Sequence, residues 1–156
     1  MKHLIPEFEK IKARFPDAET TPSSMVLPCL HSIQSDRGFV SEEDIAGLVS
    51  YLGVPRVQID EVLSFYTMFR RALPGKHRVE VCRNVSCSML GAESILDHLR
   101  KRLGIAPGQT TPDGRITLLT AECLASCGTG PMMVVDGAYH ERLTPEKVDA
   151  IIEGLK

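Results

Sequence analysis

Long apolar runs are missing from this chain. No stretch approaches the roughly 18 residues that a membrane-spanning helix needs, so no direct membrane insertion is expected. An excess of charge of one sign is missing too. Lys and Arg number 18 against 20 Asp and Glu, for a formal charge of −2. That leaves no basic face for a general nucleic-acid binder, and no nucleic-acid partner is expected. There is no Trp, and aromatics make up only 5%. The first 15 residues form a charged amphipathic stretch without the apolar stretch and cleavage site of a secretion signal. A soluble, cytoplasmic protein is therefore expected. Neither a G-x-G-x-x-G after a strand nor a Walker A loop occurs, so no nucleotide site is expected. Internal repeats and low-complexity segments are also lacking.

What is there is an ordinary globular composition, 43% hydrophobic and 24% charged over 156 residues. By length this is one domain or two small ones. The five cysteines are the most informative feature. An odd count without an export signal disfavours a disulfide framework and favours metal or redox use. Cys29 stands alone, while Cys82 pairs with Cys87 and Cys123 with Cys127.

The pattern changes near residue 75, at the turn signal Leu73-Pro74-Gly75. Before it the apolar period is helical. A first helix is expected over Glu7–Phe15, ending before Pro16, and a second over Ser23–Asp36 with Pro28 in its first turns and Gly38 as its stop. A third opens at Ser41, with Asp44 in the capping-box position, and closes at Gly53. A fourth opens at Pro55. After residue 75, strands and helices alternate. Strands are expected at Arg78–Cys82, Ile116–Glu122, Pro131–Val135 and Ala138–Arg142. Helices are expected at Met89–Leu103 and from Thr144-Pro145 onward, and Asp136-Gly137 signals a hairpin. The expected fold is α+β: an N-terminal helical bundle over 1–75, then an α/β domain with a small mixed sheet over 76–156.

The four paired cysteines fall at strand ends. Cys82 is expected to close the first strand and Cys87 to sit in the following loop; Cys123 is expected to close the second strand and Cys127 to sit in the loop after it. Such loops can face each other at one sheet edge. Three chemistries use such a set. Four thiolates hold a structural zinc, four thiolates hold an iron–sulfur cluster, or two pairs cycle between thiol and disulfide. Thiol–disulfide motifs are normally C-x-x-C, which neither pair has. Spacing leaves zinc and iron–sulfur side by side. The glycine-rich second loop, Cys127-Gly128-Thr129-Gly130-Pro131, favours iron–sulfur because it lets backbone approach closely.

The C-x4-C of Cys82 and Cys87, followed by Cys123-Leu124-Ala125-Ser126-Cys127, resembles the thioredoxin-like 2Fe–2S ferredoxin family. Leu30-His31-Ser32-Ile33-Gln34, Glu61-Val62-Leu63-Ser64-Phe65-Tyr66-Thr67-Met68-Phe69 and Gly104-Ile105-Ala106-Pro107-Gly108 extend the likeness over residues 5–156. Within that family the chain resembles the small 2Fe–2S subunits of bacterial NADH:quinone oxidoreductases, with relatives in NAD-linked hydrogenases and formate dehydrogenases. The resemblance implies a thioredoxin-like second domain and one 2Fe–2S cluster on Cys82, Cys87, Cys123 and Cys127. It implies a hetero-oligomer in which a flavin- and NADH-binding partner carries FMN, the NADH site and a 4Fe–4S cluster. It also implies a subunit that carries electrons and catalyses nothing alone, peripheral to the membrane where its host is respiratory. The reading from a different class is a zinc-stabilised interaction subunit.

Several residues have plain structural readings. Cys29 lies on an apolar helix face and reads as a buried thiol. His31 and His98 have no partner at i±4 and read as surface or capping groups, and no chemistry is assigned to His3, His77 or His140. Phe65, Tyr66 and Phe69 read as core, with a docking surface as the alternative. Of the neighbours Met132 and Met133, one must face the sheet core and the other can cover the cysteines. Glu80 and Glu122 would oppose reduction at the cysteines, whereas Arg83 would favour it. Arg100-Lys101-Arg102 reads as a solvated helix end that complements the helix dipole.

Overall fold

The computed structural model describes residues 2–15 and 21–156. The chain falls into two compact units, Met1–Leu73 and Pro74–Lys156. Their class is mixed α+β, as the sequence pattern requires.

The first unit is helical. Helix α1, Ile5–Lys12, buries Phe8 and Ile11 and has Pro6 in its first turn, where no N–H is needed. It starts and ends earlier than expected, because Arg14 and Phe15 donate to carbonyls only three residues back. Pro16 lies outside the described residues. Helix α2, Val26–Arg37, follows a 3₁₀ turn at Pro22–Met25 and stops at Gly38, which takes φ +83°. Helix α3, Glu42–Leu52, opens with the capping box: Asp44 N–H donates to Ser41 Oγ at 3.2 Å, and Ser41 N–H donates to the Asp44 carboxylate at 3.1 Å. Arg37 pairs with the buried Asp44 at 3.2 Å. Helix α4, Arg56–Phe65, completes the set. Phe8, Leu30, Ile33, Ile45, Leu48 and Ile59 are fully buried together, with Cys29 among them. Downstream of α4, Gln34 donates to Met68 O at 2.9 Å and accepts from Arg70 N–H at 2.8 Å. This strap buries Phe69 but leaves Phe65 exposed, which corrects its placement in the core.

The second unit is a four-stranded mixed sheet in the order β2-β1-β3-β4. Strand β1 is His77–Cys82, β2 Ile116–Ala121, β3 Met133–Val135 and β4 Ala138–His140. β1 runs parallel to β2 and antiparallel to β3. Asp136 and Gly137 both take positive φ, the geometry of the tight β3–β4 hairpin. Pro131 and Arg142 fall outside the strands, because Pro131 offers no N–H and Arg142 turns at φ +48°. The single helix expected from Met89 is two, α5 Val85–Met89 and α6 Ala92–Leu103. Gly91 between them takes φ +98°, which no helix interior accommodates. Helix α7, Pro145–Gly154, is capped by Thr144. Val79, Leu99, Ile116, Leu118, Met133 and Val148 form the core between sheet and helices. Among the described residues no helix is long and apolar enough to cross a membrane.

Candidate functional site

Cys82 is the last residue of β1 and is 2% exposed. The chain turns at Arg83 and Asn84, braced by Ser88 N–H to Asn84 O at 2.8 Å and Ser88 Oγ to Arg83 O at 3.1 Å. Cys87 then lies within α5 rather than in a loop, at 1% exposure. Both cysteines pack with Ala92, Met132 and Val134, and Leu124 leans on the same group. Met132, just before β3, and Met133, its first residue, turn to opposite sides: Met133 enters the sheet core and Met132 packs with the cysteines.

The second pair is different. β2 ends at Ala121, so Cys123 stands two residues beyond the strand rather than closing it. Ala125 takes φ +57°, and its N–H donates to Cys123 Sγ at 3.4 Å. Cys127 opens a 3₁₀ turn, Cys127–Thr129, and both cysteines are exposed. The Glu141 carboxylate accepts from Ser126 Oγ and from Thr129 Oγ1, the latter at 2.6 Å. These two hydroxyls hold Glu141 below the usual carboxylate range. At Gly130 a methyl group would stand 3.3 Å from Cys87 Sγ and 3.0 Å from Leu90 Cδ1. Glycine thus lets the end of the second loop lie directly against the first.

The electrostatics tie the two loops together. Burial works against ionising Cys82. The backbone N–H groups of Asn84 and Leu124 and the Cys87 thiol oppose that effect, and together they hold Cys82 below the usual thiol range despite the charge on Glu122. Cys87 is pushed up, first by burial, then by Cys82 and Cys127. Leu124 and Cys127 belong to the second loop, so its backbone and its sulfur both reach the first pair. Glu80 is neutralised by Arg78. Among the described residues no group of three or more His, Cys, Asp or Glu is arranged to hold a metal ion. The thiols gather at one sheet edge, where Gly130 lets the second loop approach Cys87, and four thiolates are the donor set of an iron–sulfur centre.

Other candidates have ordinary roles. Cys29 is buried in the helical core, and burial pushes its thiol up to about 12. His31 stacks on Phe69 at 5.0 Å, and His98 pairs with Asp149 at 2.7 Å. Arg100 and Arg102 pair with Asp97 and Glu153. The sequence pattern missed Glu141, because a contact spanning 15 residues leaves no periodic mark. It also missed the exposure of Val85, Met89 and Leu90 in the first cysteine segment, where Val85 reads as a loop residue and Met89 and Leu90 as ordinary helix residues.

Comparison with known proteins gives this geometry its context. The chain is similar to an NADH-quinone oxidoreductase subunit of Rhizobium meliloti (strain 1021). The two are 38% identical over 150 residues, 96% of this chain and 87% of the relative. It is 37% identical over 135 residues to the corresponding NADH-quinone oxidoreductase subunit of Salmonella typhimurium, 86% of this chain and 81% of that protein. Among solved structures, an NAD⁺-reducing [NiFe]-hydrogenase in the air-oxidised state matches with a TM-score of 0.69 at 25% identity. That match covers 83% of this chain but only 22% of the hydrogenase chain. The profile of thioredoxin-like [2Fe-2S] ferredoxins matches residues 8–156, both cysteine pairs included, and the chain belongs to that family.

Proposed function

We propose that this chain is the electron-transfer subunit of the NADH-oxidising module of a respiratory NADH:quinone oxidoreductase, with its cluster on Cys82, Cys87, Cys123 and Cys127. The family supplies the cofactor, one 2Fe–2S cluster, and the relatives supply the setting, a multi-subunit NADH-oxidising complex. The observation that carries the ligand assignment is the approach at Gly130, where a methyl group would stand 3.3 Å from Cys87 Sγ, so that the second cysteine segment lies against the first.

When bound, the cluster takes up and returns one electron at a time. The chain's own residues hold, shield and tune it. Met132, Val134 and Ala92 exclude water from the inner cysteines. The Ala125 N–H donates to Cys123 Sγ, and the backbone at Asn84 and Leu124 lowers the Cys82 thiol; both favour added negative charge, whereas Glu122 opposes it. Hydride chemistry belongs elsewhere in the complex, on a flavin- and NADH-binding subunit with FMN and a 4Fe–4S cluster. Two exposed apolar groups support docking of such a partner: Val85, Met89 and Leu90 beside the cysteines, and Val57, Phe65 and Met68 on the helical unit. The domains then divide the work, residues 76–156 binding the cluster and residues 1–75 securing the partner. The chain then sits at the cytoplasmic side of the membrane through its complex; among the described residues no helix is long and apolar enough to cross a membrane. The likeness to the NAD⁺-reducing hydrogenase favours a second host of the same kind.

The test is purification with co-purifying subunits identified, iron counting and EPR. About two irons per chain and one S = ½ signal, appearing only after chemical reduction, are expected. Four irons, a colourless zinc protein, or NADH oxidation by the isolated chain would each overturn the reading.

A further inference from the structure

Glu141 lies just past β4, on a segment that carries no cysteine. Yet its Oε1 accepts from both hydroxyls that flank Cys127. Ser126 Oγ and Thr129 Oγ1 stand 2.7 Å apart, and Thr129 Oγ1 also lies 3.2 Å from Ser126 O. The next residue adds a backbone bond, Arg142 N–H to Thr129 O at 2.8 Å. Residues 126–129 are therefore gripped from one side by a carboxylate and a neighbouring amide. Among the described residues no buried apolar group supports Cys127 as Met132 supports Cys87. Hydrogen bonds to an ionised acceptor are shorter and roughly twice as strong as neutral ones. In an exposed loop they are the means of fixing a sulfur.

We propose that Glu141 is a positioning residue for the cluster: it clamps the Cys127 turn through Ser126 and Thr129, and its fixed negative charge disfavours reduction there. The inference rests on Cys127 being a ligand. Substitution with Gln keeps an oxygen that accepts from both hydroxyls but removes the charge, whereas Ala removes both. Geometry and charge thus separate.

The experiment uses the full chain with its cluster, as wild type, Glu141→Ala, Glu141→Gln, the pair Ser126→Ala with Thr129→Val, and the triple variant that adds Glu141→Ala to that pair. Cluster loss to an iron chelator is followed by visible absorption, and reduction is followed by redox titration with EPR detection. Glu141→Ala should lose its cluster roughly tenfold faster, since two charge-assisted bonds are gone. The Ser126/Thr129 pair should match it, and the triple variant should be no faster, because all act through one clamp. Glu141→Gln should release its cluster within about twofold of wild type yet be reduced more easily. Wild-type release from Glu141→Ala, additive effects in the triple variant, release from Glu141→Gln as fast as from Glu141→Ala, or an unchanged Glu141→Gln titration would each overturn the proposal. If Glu141→Ala does not fold, the Ser126/Thr129 pair tests the clamp with the carboxylate in place. Cys127→Ser separates the two failures: full iron retention there defeats the ligand assignment, while iron loss there with wild-type release from Glu141→Ala defeats the clamp alone.

Discussion

The inner and outer cysteines are held by different physics. Cys82 and Cys87 sit at 2% and 1% exposure among Ala92, Met132 and Val134, fixed by close packing. Cys123 and Cys127 stand in solvent, on a segment with a positive φ at Ala125 and a carboxylate across its hydroxyls. Packing resists displacement in every direction and excludes water. Hydrogen bonds fix direction but leave the sulfurs accessible. The inner pair thus has a dry wall and the outer pair an open face.

The largest expected effect removes ligands. Cys82→Ser, Cys87→Ser, Cys123→Ser and Cys127→Ser should each lose most of the iron and the visible absorption. Cys29→Ser should retain wild-type iron, since that thiol is buried in the helical core and resists ionisation. Iron analysis of the five proteins, prepared alike, decides it.

The next contrast is between adjacent methionines. Met132→Ala and Met133→Ala should each cost about 2–5 kcal/mol, because both side chains are fully buried. Only Met132→Ala should also hasten cluster loss, since only Met132 lines the inner cysteines. Thermal unfolding together with chelator release rates separates the two effects. Equal release from both variants would break the distinction between dry wall and sheet core.

A smaller effect lies at the far end of β1. His77 hydrogen-bonds Asp136 at 2.7 Å and Lys156 O at 3.0 Å, and these bonds raise its pKa above the usual value of about 6.5, against burial and Lys76. A raised folded value means stabilisation that is full below the unfolded value and fades as pH climbs through the folded one. Asp136 runs the other way. Burial would raise it, but the Arg78 N–H and His77 outweigh burial and lower it, so its contribution fades only in acid. Stability measured from pH 6 to 9 should therefore fall in the wild type and change less in His77→Gln. The absorption of the cluster should not follow, because the cysteines are at the other end of the strand.

The smallest effect concerns the outer loop alone. Ala125 at φ +57° stores about 1 kcal/mol of strain that Gly does not carry. Ala125→Gly should leave stability within about 1 kcal/mol of wild type, since the added freedom of the unfolded chain offsets the relief. Denaturation of the two proteins side by side checks this.

Much of this arrangement was legible in the sequence. The Ser41–Asp44 box, the glycine stops at Gly38 and Gly53, and the Asp136-Gly137 turn are local signals with local causes, and they give the elements their ends. The α+β class follows from the change in apolar period. Three features were not legible. The break at Gly91 is a backbone choice inside a run whose apolar period continues across it. The exposure of Phe65 depends on the strap that Gln34 makes with residues 68–70. The Glu141 clamp pairs residues that only the sheet brings together.

The register of the two parallel strands has a consequence for how such chains can diverge. Cys82 on β1 lies directly opposite Ala121 on β2, so both cysteine segments leave the sheet at the same level. The segment before β2 is tied to the same register, with Gly108 N–H donating to Leu118 O at 2.7 Å and Leu118 N–H to Gln109 O at 3.0 Å. An extra residue between Ala121 and Cys123 shifts the sulfur by up to about 3.5 Å, the reach of one residue of chain. Insertions should accordingly be excluded both from residues 108–111 and from the short step after β2, and a library with single residues inserted at each position, screened by colour, would draw those boundaries.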